Sequence, residues 1–475
     1  MRLYDTLSRQ KKELPSPEAH PVITFYACGP TVYDDTHIGH MRRYVMDDVL
    51  IRSLRYFGYE VSHVMNITDV GHLTGDDDNG EDKLEKGAIK HGKTVWDVAK
   101  EYEEQFWKTM TALNITKGDI TVLHATDNIP EMIEMIRTLE QKGYTYQTAE
   151  AVYFDVTKFE GYGKLSGQNL DEKKQAVREE VQIDPEKKHP ADFALWFKRV
   201  GRFANHTMHW ESPWGEGFPG WHIECSAMSK KGLGTESIDI HSGGIDHIPV
   251  HHENEIAQSE GASGKPFVSW WVHHAFLNVD GEKMSKSKEN FYSLTDIQKQ
   301  EIDPVALRLL FMSTSYRKPM NFTWESLRAA QTALRELRSL YLHWNQEMSN
   351  VPQEKTTDLS GGSVFFLELF EKAISDDLNI TGALGELWYM LRSSDLPPKE
   401  KLVLLKKADQ ILGLDLGRSE QESIVIPDEV IKLAEMREIA RQEKDFITSD
   451  ALRKDIESKG FLIKDTPQGC VITKN

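Results

Sequence analysis

The residues most able to do chemistry here are two cysteines and a histidine-rich helix start. His251-His252-Glu253-Asn254-Glu255 opens a predicted helix. His251 and Glu255 are one turn apart, so they project from one face. Cys28 and Cys225 are the other soft ligands of the chain, apart from Cys470 in the tail. Two thiolates, an imidazole and a carboxylate suit tetrahedral zinc. Spacing alone leaves alternatives open. No CxxC pair is present. His252 can take the place of His251, although no acidic residue then sits four positions on. Two buried free cysteines beside a histidine cluster would give the same pattern without a metal.

A second set of residues suits phosphate. His37-Ile-Gly-His40 stands at the predicted N-terminus of a helix, where unpaired N–H groups and the helix dipole attract anions. Lys283-Met-Ser-Lys286-Ser287 follows Asp280-Gly-Glu, and two lysines in a small-residue loop can neutralise charge developing on phosphate oxygens. Alone, the second stretch reads equally as a solvated turn. Together the two make a pair of cationic clamps for one triphosphate.

The elements that must position these residues are legible in outline. Val22 to Ala27 is an apolar strand, a helix runs from about Gly39 to Phe57 and stops at Gly58, and Glu60 to Thr68 is β-like, which together make one βαβ unit. Thr94 with Asp97 resembles a capping box, opening a helix to Leu113. Residues 128 to 142 are predicted helical, and a strand is predicted at Ala151 to Val156. The stretch from Tyr144 to about Trp196, with its charged second half, reads as an insertion dividing one nucleotide-binding domain. The pattern resumes with strands at Ser237 to His241 and Val268 to Val272. No GxGxxG occurs, which argues against a dinucleotide site. Thr323 is placed to cap a helix over 324–344, and helices are predicted near 363–375, 381–393, 398–412, from Asp428, and at Thr448 to Lys459. Two short strands around Asp465–Gly469 end the chain. The acidic loop Gly75 to Asp82 misses the EF-hand template and reads as solvated.

The 475 residues fit about three domains, with ordinary hydrophobic content of 39%. No apolar run approaches the roughly 20 residues that a membrane helix needs. Met1 to Pro15 lacks the apolar core of a secretory signal, so a cytoplasmic location is expected. Three cysteines make no disulfide framework. A net charge of −18 argues against a general nucleic-acid binder but leaves room for a local basic face.

His37-Ile-Gly-His40 and Lys283-Met-Ser-Lys-Ser287 resemble the two signatures of class I aminoacyl-tRNA synthetases. Cys28-Gly-Pro-Thr-Val-Tyr33, Asn66-Ile-Thr-Asp69, Pro219-Gly-Trp-His-Ile-Glu-Cys-Ser226 and His251-His-Glu-Asn-Glu-Ile-Ala-Gln-Ser259 resemble the cysteinyl-tRNA synthetase family more narrowly. Tyr153-Phe-Asp155, Gly163-Lys-Leu-Ser-Gly167, Asp376-Asp-Leu-Asn379 and Asp465-Thr-Pro-Gln-Gly469 do so as well. The likeness runs over nearly the whole chain. Departures from the family pattern fall after Asp69, at Ile248-Pro-Val250, at Lys288-Glu-Asn and at Arg202–His209, and none removes a ligand or clamp residue.

The resemblance implies an α/β fold: a Rossmann-like class I synthetase catalytic domain with a parallel sheet, split by an insertion, then an α-helical bundle and a small α+β C-terminal unit. The implied divisions are 1–120 and 216–290 for the catalytic halves and 121–215 for the insertion. Residues 291–345 would form a connecting region, 346–420 a tRNA-binding bundle and 421–475 an anticodon-recognition unit. It implies zinc on Cys28, Cys225, His251 and Glu255, with the substrate cysteine bound through its own thiolate. Thr68, Trp221 and Asp246 would line the amino-acid pocket. His37, His40, Lys283 and Lys286 would bind ATP, accompanied by magnesium. The implied reaction makes cysteinyl-adenylate and pyrophosphate, then passes cysteine to the 3′-terminal adenosine of tRNA(Cys). The implied partners are tRNA(Cys), L-cysteine and ATP, with no membrane, and a monomer is expected. Arg437, Arg441, Lys444, Arg453 and Lys454 would supply basic charge for tRNA. Two other readings stand beside this one: a zinc-dependent ligase joining cysteine to an amino-sugar in thiol biosynthesis, and a non-catalytic tRNA-binding paralogue.

Overall fold

The computed structural model describes residues 1–71, 82–168, 184–284, 290–349, 359–418, 427–442, 445–466 and 469–474. The chain opens with an antiparallel hairpin, β1 (Arg2–Asp5) and β2 (Gln10–Glu13). The first nucleotide-fold half follows: β3 (Val22–Ala27), α1 (Ile38–Tyr56), β4 (Glu60–Ile67), α2 (Lys83–His91), α3 (Val95–Ala112) and β5 (Thr121–His124). α4 (Ile129–Gln141) leads into an antiparallel sheet, β6 (Thr145–Gln147), β7 (Ala151–Phe154), β8 (Phe193–Lys198) and β9 (Gly217–Pro219), paired in chain order. The second half is α5 (Trp221–Leu233), β10 (Ile238–Gly244), α6 (His251–Ser263) and β11 (Val268–His274).

The two halves share one parallel sheet of order β11-β10-β3-β4-β5. The order reverses between β3 and β10. Ligands of open α/β sheets bind at such a switch point, beyond the carboxyl ends of the strands. Cys28 and Gly243-Gly244 both lie there.

Thr121–His124 is the edge strand of the parallel sheet, and Gly217–Pro219 belongs to the insertion's sheet. β5 has one exposed and three half-buried residues with no apolar alternation, so it carries no strand signal by pattern.

α1 is buried almost all round, with Met41, Val45, Val49 and Leu50 at 0% exposure. It is covered by the sheet, by α3 and by later helices. Next come β12 (Leu277–Val279), β13 (Glu282–Lys283), α7 (Leu294–Lys299), α8 (Pro304–Phe311), β14 (Met320–Phe322) and α9 (Trp324–Ser349). The bundle adds α10 (Gly361–Ser375), α11 (Ile380–Arg392) and α12 (Pro398–Leu412), and one apolar core runs from α1 through α8 and α9 into it. Arg308 on α8 ties these parts together: it pairs with Asp48 of α1 and donates to the carbonyls of Leu113 and Leu412. The C-terminal unit, α13 (Asp428–Gln442), α14 (Phe446–Ser458), β15 (Phe461–Thr466) and β16 (Gly469–Lys474), has its own small core around Val430, Ala434, Ile456, Phe461 and Ile463. Among the described residues, no helix is long and apolar enough to cross a membrane.

Candidate active site

Cys28 follows β3, Cys225 sits on α5, and His251 and Glu255 lie one turn apart on α6. Their ligand atoms all lie within 4.8 Å of one another, and all four residues are buried. The turn into α5 depends on Gly220, where a Cβ would stand 1.9 Å from the Ala194 carbonyl oxygen. Glycine alone lets that turn close against β8 and so fixes where Cys225 points.

Burial pushes the Cys28 thiol up, and the neighbouring Cys28 thiol together with burial pushes Cys225 well up. Burial opposes a charge on His251, but Glu255 and Cys225 outweigh it and raise His251 to about 10. Burial likewise opposes ionisation of Glu255, and His241 and His251 overcome it, holding Glu255 at about 2. Glu255 Oε1 makes no hydrogen bond although His251 Nε2 stands 2.8 Å away. An imidazole nitrogen and a carboxylate oxygen this close, beside two thiols, fit a tetrahedral zinc. The other imidazole nitrogen of His251 is held 2.9 Å from His222 Nδ1, the kind of outer partner that orients a metal-bound histidine.

The alternative with His252 is also close. Cys28, His241, His252 and Glu255 form a second convergent group, and His252 Nε2 lies 3.3 Å from Cys28 Sγ. That group holds one thiol rather than two. His241 Nε2 lies 2.8 Å from Glu255 Oε2, and His252 Nδ1 lies 2.8 Å from His273 Nε2.

The two phosphate-type signatures touch. His37 caps α1, with its Nδ1 accepting the N–H groups of Gly39 at 3.0 Å and His40 at 3.3 Å, so its proton sits on Nε2. Its ring stacks on that of His40 with centroids 3.6 Å apart. A Cβ on Gly39 would stand 2.5 Å from the Met284 methyl, so the bare glycine admits the second signature. The Ile38 N–H donates to the Tyr292 carbonyl at 2.9 Å, which joins the segment after that signature to α1. Lys283 is exposed on β13. Lys286 lies outside the described residues, as do most of the acidic loop before α2, much of the charged stretch in the insertion, and Lys444.

Of the three predicted pocket residues, Trp221 stacks on His251 at 4.3 Å between centroids. Asp246 is exposed, with an oxygen 4.0 Å from His247 Nε2, and His247 in turn meets Trp221 edge-on at 6.0 Å. Thr68 is 1% exposed and donates to Glu224 Oε2 at 2.7 Å. Glu224 itself was no sequence candidate. Burial pushes it up to about 8, partly offset by the Thr68 bond. Arg437 does not offer charge to a nucleic acid: it is 2% exposed inside the C-terminal unit, while Arg441, Arg453 and Lys454 are exposed.

The chain matches the catalytic domain of class I (C) tRNA synthetases over residues 16–332. It is 40% identical to a cysteine–tRNA ligase of Treponema denticola, covering 98% of each chain. It is 43% identical to cysteine–tRNA ligase 1 of Burkholderia lata, covering 99% of this chain and 96% of that one. The chain belongs to the cysteine–tRNA ligase family. Its fold is shared more widely among class I synthetases. Mycobacterium tuberculosis methionyl-tRNA synthetase bound by methionyl-adenylate superposes with a TM-score of 0.57 at 14% identity, over 85% of this chain and 95% of that one.

Proposed function

We propose that this enzyme activates L-cysteine with ATP and transfers it to the terminal ribose of tRNA(Cys). A cysteine carboxylate oxygen attacks the α-phosphorus of ATP and pyrophosphate leaves; the ribose hydroxyl then attacks the adenylate carbonyl and AMP leaves. No protein nucleophile is required, so the contribution is positioning and charge stabilisation.

Cys28, Cys225, His251 and Glu255 would hold zinc. When bound, the metal supplies a soft Lewis acid that prefers thiolate to the hydroxyl of serine, an analogue that an apolar pocket rejects poorly. Thr68, Trp221 and Asp246 would line the cysteine pocket. His37 and His40 would contact the phosphates of ATP, carried with magnesium, and Lys283 with Lys286 would neutralise the leaving pyrophosphate. The exposed Arg441, Arg453 and Lys454 would face tRNA. The enzyme would act in the cytoplasm as a monomer.

The observation that carries this reading is the convergence of two buried thiols, an imidazole and a carboxylate within 4.8 Å, with Cys28 on the segment that leads to His37, the cap of α1. The test is cysteine-dependent exchange of labelled pyrophosphate into ATP, followed by a comparison of tRNA and an amino-sugar as acceptor. Exchange and tRNA charging are expected. Exchange with transfer only to the amino-sugar overturns the tRNA assignment, and absent exchange overturns cysteine activation.

A further inference from the structure

Phe276 stands two residues past β11, beyond the carboxyl ends of the parallel strands, and its ring is 43% exposed. Its backbone is fixed from two sides. The carbonyl accepts the Met320 N–H at 3.0 Å and Arg42 Nη1 at 3.1 Å. Arg42 is 2% exposed on α1 and also donates to the carbonyls of Ala275 at 2.9 Å, Ser315 at 3.0 Å and Lys318 at 2.9 Å. A guanidinium presents its donors in a rigid fork. One side chain, two residues after His40, thus locks the approach to β12 onto the helix that His37 caps.

β12 and β13 join through Asp280-Gly281, whose φ values of 49° and 83° are the two left-handed positions of a type I′ turn. The hairpin sets Asn278 opposite Lys283. Phe276 lies two residues before Asn278, so it shares that face and stands diagonal to Lys283. Lys283 Nζ accordingly lies over the Phe276 ring, 5.7 Å from its centroid. That is within the roughly 6 Å reach of a cation–π attraction. On the other side of Lys283, the Met284 methyl lies against Gly39, and the Ile38 N–H donates to the Tyr292 carbonyl. The strand that carries Lys283 is thus tied to α1 before and after it, at Arg42 and at Gly39.

We propose that Phe276 is a positioning residue for activation: its ring holds the Lys283 ammonium where pyrophosphate departs, without itself touching the substrate. This rests on the reading that Lys283 neutralises that pyrophosphate. A lysine has a flexible four-carbon stem and loses rotamer freedom when a ligand fixes it. A ring that is itself anchored on α1 removes part of that loss in advance. The exposed aromatic side chain then has a use that an aliphatic one of similar size does not.

The test is cysteine-dependent exchange of pyrophosphate into ATP by the zinc-loaded, full-length enzyme. Phe276→Leu removes the ring from an exposed position and is expected to slow exchange about threefold or more. KM for cysteine, zinc content and melting temperature should stay as in the wild type. Phe276→Tyr keeps the ring and is expected to restore the rate, which a purely structural role for bulk at this position does not require. In a Lys283→Ala background, Phe276→Leu is expected to cause no further loss. An equal loss with and without Lys283, a Tyr variant as slow as the Leu variant, or full activity of Phe276→Leu overturns the proposal. A ring that stacked on the base of ATP would weaken AMP as much as ATP in calorimetry, and that result overturns it too. Exchange left unchanged by Lys283→Ala alone would overturn the phosphate role of Lys283 and the proposal with it, a failure distinct from an uncoupled loss.

Discussion

Glu253 Oε1 accepts the backbone N–H of Gly163 at 2.8 Å, across the boundary between the metal-type helix and the insertion. Its other oxygen accepts from Leu165 at 3.1 Å and Ser166 at 2.8 Å. The carboxylate is 0% exposed and lies between the proposed ligands His251 and Glu255 on α6. One side chain thus satisfies three backbone donors of the Gly163–Gly167 loop, two of them buried, and sets how α6 sits against it.

Glu253→Ala leaves those donors unmatched. A loss of about 2–4 kcal/mol is expected, because each unsatisfied buried group carries a desolvation penalty. Limited proteolysis within residues 159–168 and a lower melting temperature read the effect. An unchanged cleavage pattern would show that the loop is held by other contacts.

Loading the metal cluster must release protons. Without an ion, Cys28 and Cys225 are held as thiols and His251 as imidazolium, whereas each must be deprotonated to bind. Zinc uptake by stripped enzyme in weak buffer at neutral pH is expected to release about three protons, and affinity should fall steeply as pH drops. Removal of the metal by a chelator is expected to abolish cysteine binding. Cys225→Ser should reduce bound zinc, measured by elemental analysis, and a full complement in that variant would point to the His252 group.

His63 predicts a second pH effect, on stability. It is buried on β4 against the edge of Phe25, and burial holds it down at about 4 against an ordinary 6.5. The unfolded chain therefore binds more protons between these values, so stability is present above pH 6.5 and lost as pH falls toward 4. The full swing is about 3 kcal/mol. Denaturant titrations across that window should show the slope, and His63→Leu should remove this part of it.

The contact between Gly39 and Met284 predicts a pair of coupled substitutions. Gly39→Ala drives a methyl into Met284 and His37. Pyrophosphate exchange is expected to fall about tenfold or more, through displacement of phosphate-binding groups. Melting temperature should barely move, since the glycine starts a helix that alanine favours. Met284→Ala in the same chain should recover part of the rate, and strictly additive effects would refute the coupling.

Much of this architecture was open to reading. Val22–Ala27 is β3 as predicted, and α1 and α3 begin within a residue or so of their expected starts because His37 and Thr94 cap them. α5 escaped notice for a physical reason. His222, Glu224, Cys225, Ser226 and Ser229 are all buried, so no polar face marks the helix. A polar residue buried for chemistry erases the periodicity that would reveal its helix. Glu224 was hidden the same way. It sits inside a quoted motif, but its bond to Thr68 joins segments far apart in the chain. The choice between His251 and His252 also needed three dimensions: one turn of helix brings both near Cys28, and only the His251 group includes Cys225.

The strand order has a consequence for synthesis. β3 pairs with β10, and the thiol that follows β3 meets the other groups of its cluster only on α5 and α6. At ~5–20 residues per second, roughly 10–40 s separate translation of Cys28 from that of Cys225 and His251. Throughout that interval one edge of β3 has no neighbour and its cysteine no companion. Nascent chains held on the ribosome are thus exposed to edge pairing and thiol oxidation until the second half emerges, and the cluster closes only on a catalytic domain whose sheet is complete.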